Sequence, residues 1–413
     1  MSEPLRSLLA LLLLGAAPAD RCGDLMRLAS PTLAITEAVH DGAMCRVSAV
    51  AKPRPAARIG VEVWLPPPAQ WSGRYYQMGG GGFAGTINRA TLAAAAARGD
   101  VAAATDTGHQ GKGFDASWAR GRPDLVEDYA GRSIKVASDT ARALTRAYYG
   151  QDARRRYFMG CSYGGRQALV AASRWPGEWD GVIAGAPATQ WIERQRGFAN
   201  IQEAITRPGA WLDRAQLDRL MATRDRGQLT SPQRAGVAAI ERAGYPIASA
   251  QPAAWAQWIY NRDTTAGTQA AFVAQGPALR AYGSPAALNR LFAVGSLRAF
   301  AAKGGRVLSY FGTADPVLPA GFAVADARSI GARQHFYRLF LVPGMDHCQG
   351  GAAPHAFGQS LPAPAAADDP RHDVRRALEA WVEQGRASER LIAAAPGDPS
   401  RQVTLAPSPF QRR

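Results

Sequence analysis

The stretch Tyr157-Phe158-Met159-Gly160-Cys161-Ser162-Tyr163-Gly164-Gly165-Arg166-Gln167-Ala168 decides the architecture. Tyr157 to Met159 reads as a short strand, residues 160–164 spell G-x-S-x-G, and the run to about Ser173 reads as a helix. So tight a reversal brings side chains into collision unless the residues two before and two after the serine are small. The same strained turn pushes the serine hydroxyl into the open, where a nucleophile is needed.

Outward from this elbow the chain alternates strand and helix. Upstream, residues 58–65 (RIGVEVWL) read as a strand stopped by Pro66-Pro67-Pro68, and residues 74–78 as another running into Gly79–Gly82. An Ala-rich helix follows at 91–98, a buried strand at 100–105 (DVAAAT), and a long amphipathic helix at 131–149. Downstream come strands at 182–185, 306–311 (RVLSYF) and 337–342 (YRLFLV), then a helix at 372–384 capped by Gly385. This rhythm predicts a parallel sheet wrapped by helices.

The rhythm lapses between about 188 and 300. That stretch is helical in propensity and carries Trp191, Trp211, Trp255, Trp258, Tyr260 and Tyr282. It reads as a lid inserted over the sheet's carboxyl edge, where such folds place their sites. The expected division is a catalytic domain over 20–187 and 301–413 with a lid domain over 188–300.

A serine hydroxyl is a weak nucleophile at neutral pH and needs a base, itself oriented by an acid. In an α/β-hydrolase fold both follow the serine in the chain. Asp315 lies in Gly312-Thr313-Ala314-Asp315-Pro316 directly after one strand, and His347 in Pro343-Gly344-Met345-Asp346-His347-Cys348 directly after the next. The order Ser162, Asp315, His347 is the required one. Histidines 40, 335, 355 and 372 occupy no matching strand end, and His109 precedes the serine, so it is read as a wall or loop-fastening residue. Asp346 adjoins His347, but neighbouring side chains on a loop rarely face each other.

Gly79–Gly82 admits two readings. Gly80-x-Gly82-x-x-Gly85, with Asp106 further on, satisfies a dinucleotide fingerprint. A glycine turn after a strand preceding the elbow is also where a hydrolase places an oxyanion donor, and the elbow and triad order favour that. Gly81 and Gly82 are then the expected donors, with the main-chain N–H of Tyr163.

The first 19 residues read as a signal peptide: Arg6, the apolar run Leu8–Leu14, and a small-x-small site at Ala17-Pro18-Ala19. The run is too short to span a bilayer, and no later stretch reaches about 18 uninterrupted apolar residues. Four cysteines remain in the mature chain, an even number in an oxidising context, with no CxxC pair to suggest zinc. Of the three possible pairings, position favours Cys22–Cys45 and Cys161–Cys348. The second pair flanks both the nucleophile and the base, so a formed triad brings those backbones together. The net charge of +15 is almost all arginine, but no dense basic stripe interleaved with aromatics marks a nucleic-acid interface.

The Cys-Ser … Asp … His-Cys arrangement resembles the tannase and feruloyl esterase family, which includes mono(hydroxyethyl) terephthalate hydrolases. The resemblance runs through 79–85 (GGGGFAG), 105–109 (TDTGH), 147–150 (AYYG), 160–168 (GCSYGGRQA), 180–187 (DGVIAGAP), Asp315-Pro316, 343–351 (PGMDHCQGG) and Trp381-Val382-Glu383. It implies ester hydrolysis through an acyl-enzyme, with a lid over the triad. Larger members carry an Asp-rich calcium loop and extra cysteine pairs in the lid. Here the lid region has no cysteine, and 221–233 (MATRDRGQLTSPQ) offers one aspartate, too few oxygens for a hard cation. No metal and no cofactor are expected.

The expected protein is therefore a periplasmic or secreted serine esterase acting on small aromatic esters, with no nucleic-acid partner and no membrane attachment after leader cleavage. An acyltransferase on the same scaffold, or a non-catalytic ligand-binding relative, are the alternatives.

Overall fold

A computed structural model describes residues 21–244 and 285–409, apart from 114, 334 and 362. The expected leader and the aromatic residues Trp255, Trp258, Tyr260 and Tyr282 lie outside the described residues. The described chain builds one nine-stranded sheet in the order β1-β2-β3-β5-β4-β6-β7-β8-β9. The strands are β1 (Leu33–Asp41), β2 (Met44–Ala51), β3 (Ile59–Leu65), β4 (Arg74–Met78), β5 (Val101–Thr105), β6 (Arg155–Cys161), β7 (Gly181–Gly185), β8 (Arg306–Gly312) and β9 (Tyr337–Val342). Pairing is antiparallel from β1 through β3 to β5 and parallel from β5 to β9.

The parallel centre is buried on both faces, which is why β5 (VAAAT) and β7 (GVIAG) are apolar or small at every position. Side chains alternate strictly between the faces. Phe158, Val182, Val307 and Leu339 join the cluster around Leu169 and Phe300, whereas Tyr157, Ile183, Leu308 and Phe340 join the one around Leu92, Leu378 and Trp381. Each such fully buried apolar side chain contributes about 1.5–3 kcal/mol.

Three helices of these layers are α1 (Arg89–Ala97), α2 (Ser133–Tyr149) and α3 (Tyr163–Arg174). Asn88 caps α1 by accepting from Thr91 N–H. Two strands, β1 and β2, precede the first strand read from the sequence and went unread. The signal is Gly42: Asp41 pairs with Met44, so the strands join across the two-residue turn Gly42-Ala43, with Gly42 at φ 59 in its first position. A two-stranded ribbon, β10 (Leu391–Ala395) and β11 (Asp398–Leu405), also went unread.

Between β7 and β8 stand α4 (Trp191–Ile205), α5 (Arg214–Thr223), α6 (Ser231–Arg242) and α7 (Pro285–Phe292). Ile201, Ile205, Leu217, Leu220, Val237 and Ile240 form an apolar cluster separate from the sheet's own. Asp213 and Thr230 start α5 and α6 with reciprocal capping boxes to Gln216 and Gln233. A buried ion pair, Arg194 to Asp326 at 2.8 Å, ties α4 to the segment after β8. After β9, α8 (Val374–Gln384) begins at the Asp373 cap and ends at Gly385 with φ 70.

Asp100, at the start of β5, is buried and accepts from Ser72 Oγ at 2.8 Å. Burial pushes its pKa up to about 6. The native state therefore keeps a proton that the unfolded chain has already lost, so stability falls as pH rises from about 4 to about 6, by roughly 3 kcal/mol. Asp100→Asn is expected to flatten this part of the curve relative to wild type. Urea unfolding at pH 4.5, 6 and 7.5 checks it, and identical slopes for the two proteins would contradict the assignment.

Candidate active site

The elbow holds Ser162 at φ 60 and ψ −123, a conformation costly for a residue with a side chain. Its N–H donates to Gly185 O at 2.9 Å, and its carbonyl accepts from Arg166 N–H at 3.0 Å and Ala188 N–H at 3.2 Å, so β7 and α3 both hold the turn. A Cβ on Gly164 would stand 2.5 Å from Gly80 O, which shows why the elbow and the glycine loop pack only without side chains there.

The strand ends of β8 and β9 deliver Asp315 and His347. His347 Nδ1 donates to Asp315 Oδ2 at 2.7 Å. The other carboxylate oxygen accepts from Val317 and Leu318 N–H, each at 2.8 Å. The Asp315 side chain is fully enclosed, while the His347 ring is 19% exposed. This fixes the tautomer: Nδ1 carries the proton, and Nε2 has no hydrogen-bond partner among the described residues. The Cys161–Cys348 bridge, with Cα atoms 5.9 Å apart, holds the residues next to Ser162 and His347 together. The Ser162 hydroxyl itself makes no hydrogen bond to the ring among the described contacts, a looseness common before substrate binds. Asp346 does not bond His347. Its Oδ1 is buried without a partner among the described residues, and burial with the neighbouring Asp315 carboxylate pushes its pKa up.

The glycine loop carries no dinucleotide feature. No helix opens until Arg89, and the Asp106 carboxylate is used up by Gly60 N–H, Gly108 N–H and Gln110 Nε2. That reading is withdrawn on the observed hydrogen bonds. Gly80 N–H donates to Gln167 Oε1 at 2.9 Å, whereas Gly81 and Gly82 N–H have no partner among the described residues. Gly82 has φ 53, and a Cβ there would meet Gly113 O at 2.3 Å. His109 fastens this loop from behind: Nε2 donates to Phe83 O at 2.8 Å and the ring stacks on Trp118. Burial lowers its pKa.

Several positioning residues escaped the sequence reading. Gln167, Tyr129 and Arg166 are buried polar side chains around the elbow and loop; Gln167 and Arg166 were detectable only as polar residues on an otherwise apolar helix face. Trp191 was expected in a ligand-facing lid, but it packs among Phe83 and Tyr163 in the main core, and Trp211 packs in the insertion's own cluster. A cleft of about 610 Å³ touches the bridge through Cys161, yet none of Ser162, Asp315 and His347 lines it.

The sheet, the elbow and the strand-end loops define an α/β-hydrolase fold. The sequence profile of the tannase and feruloyl esterase family matches residues 44–225 and 294–406. The chain is 33% identical to an esterase of Xanthomonas campestris over 97% of this chain and 89% of that protein. It is 26% identical to a probable feruloyl esterase B-1 of Aspergillus fumigatus, over 84% of this chain and 77% of that one. Among solved structures it superposes on feruloyl esterase B from Aspergillus oryzae with a TM-score of 0.73, at 21% identity, over 94% of this chain and 95% of that one. The tannin acyl hydrolase from Aspergillus niger shares the fold with a TM-score of 0.64 at 18% identity, over 95% of this chain and 94% of that one. The chain belongs to the tannase and feruloyl esterase family and is a carboxylic ester hydrolase. Among the described residues no helix is long and apolar enough to cross a membrane.

Proposed function

We propose that this chain is an exported serine esterase that hydrolyses aromatic esters of the phenolic-acid type, feruloyl- or galloyl-like, through an acyl-enzyme. The observation that carries the reading is the His347–Asp315 hydrogen bond anchored to the Ser162 elbow by the Cys161–Cys348 bridge. His347 Nε2 takes the Ser162 proton as Oγ attacks the ester carbonyl, and Asp315 keeps the ring in that tautomer and stabilises the imidazolium. The N–H groups of Tyr163, Gly81 and Gly82 receive the oxyanion, a contribution of roughly 3–4 kcal/mol per donor. His347 then protonates the leaving alcohol, and water repeats the sequence on the acyl-enzyme.

The insertion over 188–300, helical in its described parts, serves as the lid that shapes the acyl pocket. The aromatic substrate class is supported by the names of the relatives, a feruloyl esterase and a tannin acyl hydrolase. Export is supported by the leader-like residues 1–19 and by two bridges that use all four cysteines, Cys22–Cys45 and Cys161–Cys348. The test is a panel of methyl ferulate, methyl gallate, a terephthalate monoester and 4-nitrophenyl acetate, with fluorophosphonate labelling of the same preparation. Aromatic acyl esters are expected to give the higher kcat/KM, with the label on Ser162. Preference for the acetate would overturn the substrate class, and an unlabelled Ser162 would overturn the nucleophile.

A further inference from the structure

Arg166 lies on α3, one turn after Tyr163, with no exposed surface, and among the described residues no carboxylate pairs with it. A guanidinium so placed has to be satisfied by oriented carbonyls and hydroxyls. Nε and one terminal nitrogen both donate to Phe292 O, at 3.0 and 2.8 Å. The same terminal nitrogen reaches Ala130 O at 3.1 Å, and the other donates to Tyr163 Oη at 3.0 Å. Phe292 is the last residue of α7, on the insertion's path back to the sheet, and its ring lies 4.9 Å from the guanidinium. Arg174, two turns further along α3, donates to Leu291 O. Two arginines of the elbow helix thus cap the last carbonyls of α7, where the helix dipole is negative.

The other end of this contact leads to the oxyanion donors. Tyr163 Oη donates to Tyr129 O at 2.7 Å, and the two rings stack with centroids 4.1 Å apart. Tyr129 Oη in turn donates to Gly82 O at 2.6 Å. The peptide after Gly82 is therefore held at both ends, since Phe83 N–H donates to Gly113 O at 2.7 Å. One hydrogen-bonded chain runs from α7 through Arg166, Tyr163 and Tyr129 to Gly82.

We infer that Arg166 is a positioning residue that couples the seating of α7, a helix of the insertion, to the geometry of the oxyanion donors. The inference rests on the esterase reading above. With α7 seated, all four hydrogen bonds of Arg166 form, and the Tyr163 and Gly82 backbones are held. With α7 displaced, the guanidinium loses the two bonds to Phe292 O, and Tyr163 and Tyr129 are free to shift.

Arg166→Lys keeps the charge but lacks the planar fork that spans Phe292 O and Tyr163 Oη. It is expected to lower kcat on methyl ferulate by about 10- to 100-fold, since displacements near 1 Å at the reacting centre cost that much. KM is expected to stay within about threefold of wild type, because substrate contacts are untouched. Amide exchange over residues 285–292 and 79–83 is expected to speed up together. Tyr129→Phe removes only the hydroxyl on Gly82 O, and is expected to lower kcat about tenfold and loosen 79–83 while leaving 285–292 as in wild type. Arg174→Gln loosens α7 without touching Tyr163, and is expected to speed exchange at 79–83 as well and to lower kcat. A folded Arg166→Lys with wild-type kcat, or an Arg174→Gln that loosens α7 with no change at 79–83, overturns the coupling. Should Arg166→Lys fail to fold, the other two variants decide. An unlabelled Ser162 in the wild-type protein points to failure of the esterase reading instead, and exchange at 79–83 still reports the coupling.

Discussion

Ser162→Ala is expected to lower kcat/KM on methyl ferulate by about five to six orders of magnitude and to abolish fluorophosphonate labelling. The size follows from how the site is built. In the proposed mechanism His347, Asp315 and the oxyanion donors act as a unit on one nucleophile, so removing that nucleophile leaves them nothing to activate. What survives is the oxyanion hole and substrate binding, about a thousandfold above water. The substitution introduces no new atom into the elbow, and Ser162 is tied to Gly185, Arg166 and Ala188 through its backbone alone, so the fold is expected to hold. A companion, Asp315→Asn, is expected to cost about 10⁴ in kcat, because an amide donating toward Nδ1 selects the wrong tautomer. Steady-state kinetics with thermal melts on the same samples check both. A Ser162→Ala protein that retains a tenth of wild-type activity would move the nucleophile elsewhere.

The second large effect is expected from the bridge at the site. Cys161–Cys348 spans 187 residues of sequence and Cys22–Cys45 spans 23. Loop closure in the unfolded chain alone makes them worth about 5 and about 3 kcal/mol respectively. Their chemical consequences differ more than these energies. Replacing both Cys161 and Cys348 by alanine frees the β9 loop that carries His347 from the elbow that carries Ser162. A loss of more than about a hundredfold in kcat is expected, since misplacement of about 1 Å is that costly. Replacing both Cys22 and Cys45 is expected to lower the melting temperature while leaving kcat unchanged, because that bridge joins the N-terminal turn to β2 on the sheet's far edge. Urea titrations separate stability from kinetics. Equal kcat losses in the two double variants would show that general loosening, and not tethering of the two catalytic loops, is responsible.

Much of this was legible because it is local. The elbow is a five-residue steric requirement, and the central strands announce themselves as short runs buried on both faces. Helix ends were readable to within two residues, as at Gly385, because a left-handed cap needs glycine. The β1–β2 hairpin went unread although the glycine that opens its two-residue turn, Gly42, is a local signal. Gly80–Gly85 admitted a second, dinucleotide reading because the same glycine spacing suits any close backbone approach, and the bonds made by Asp106 speak against that alternative.

Sequence by itself determined the chain order of Ser162, Asp315 and His347, the strand ends that carry them, and the cysteines that flank two of them, since each is a property of a short segment. Tertiary structure decided which carboxylate meets His347, where the glycine loop's N–H groups point, and what satisfies Arg166. Asp346 adjoins His347 in sequence and Asp315 lies 32 residues away, yet sheet register and side-chain direction bring Asp315 to Nδ1. Arg166 looks like an ordinary surface arginine until α7 and the turn at Ala130 close over it from distant parts of the chain. Those contacts depend on how separate elements pack, which no local periodicity encodes.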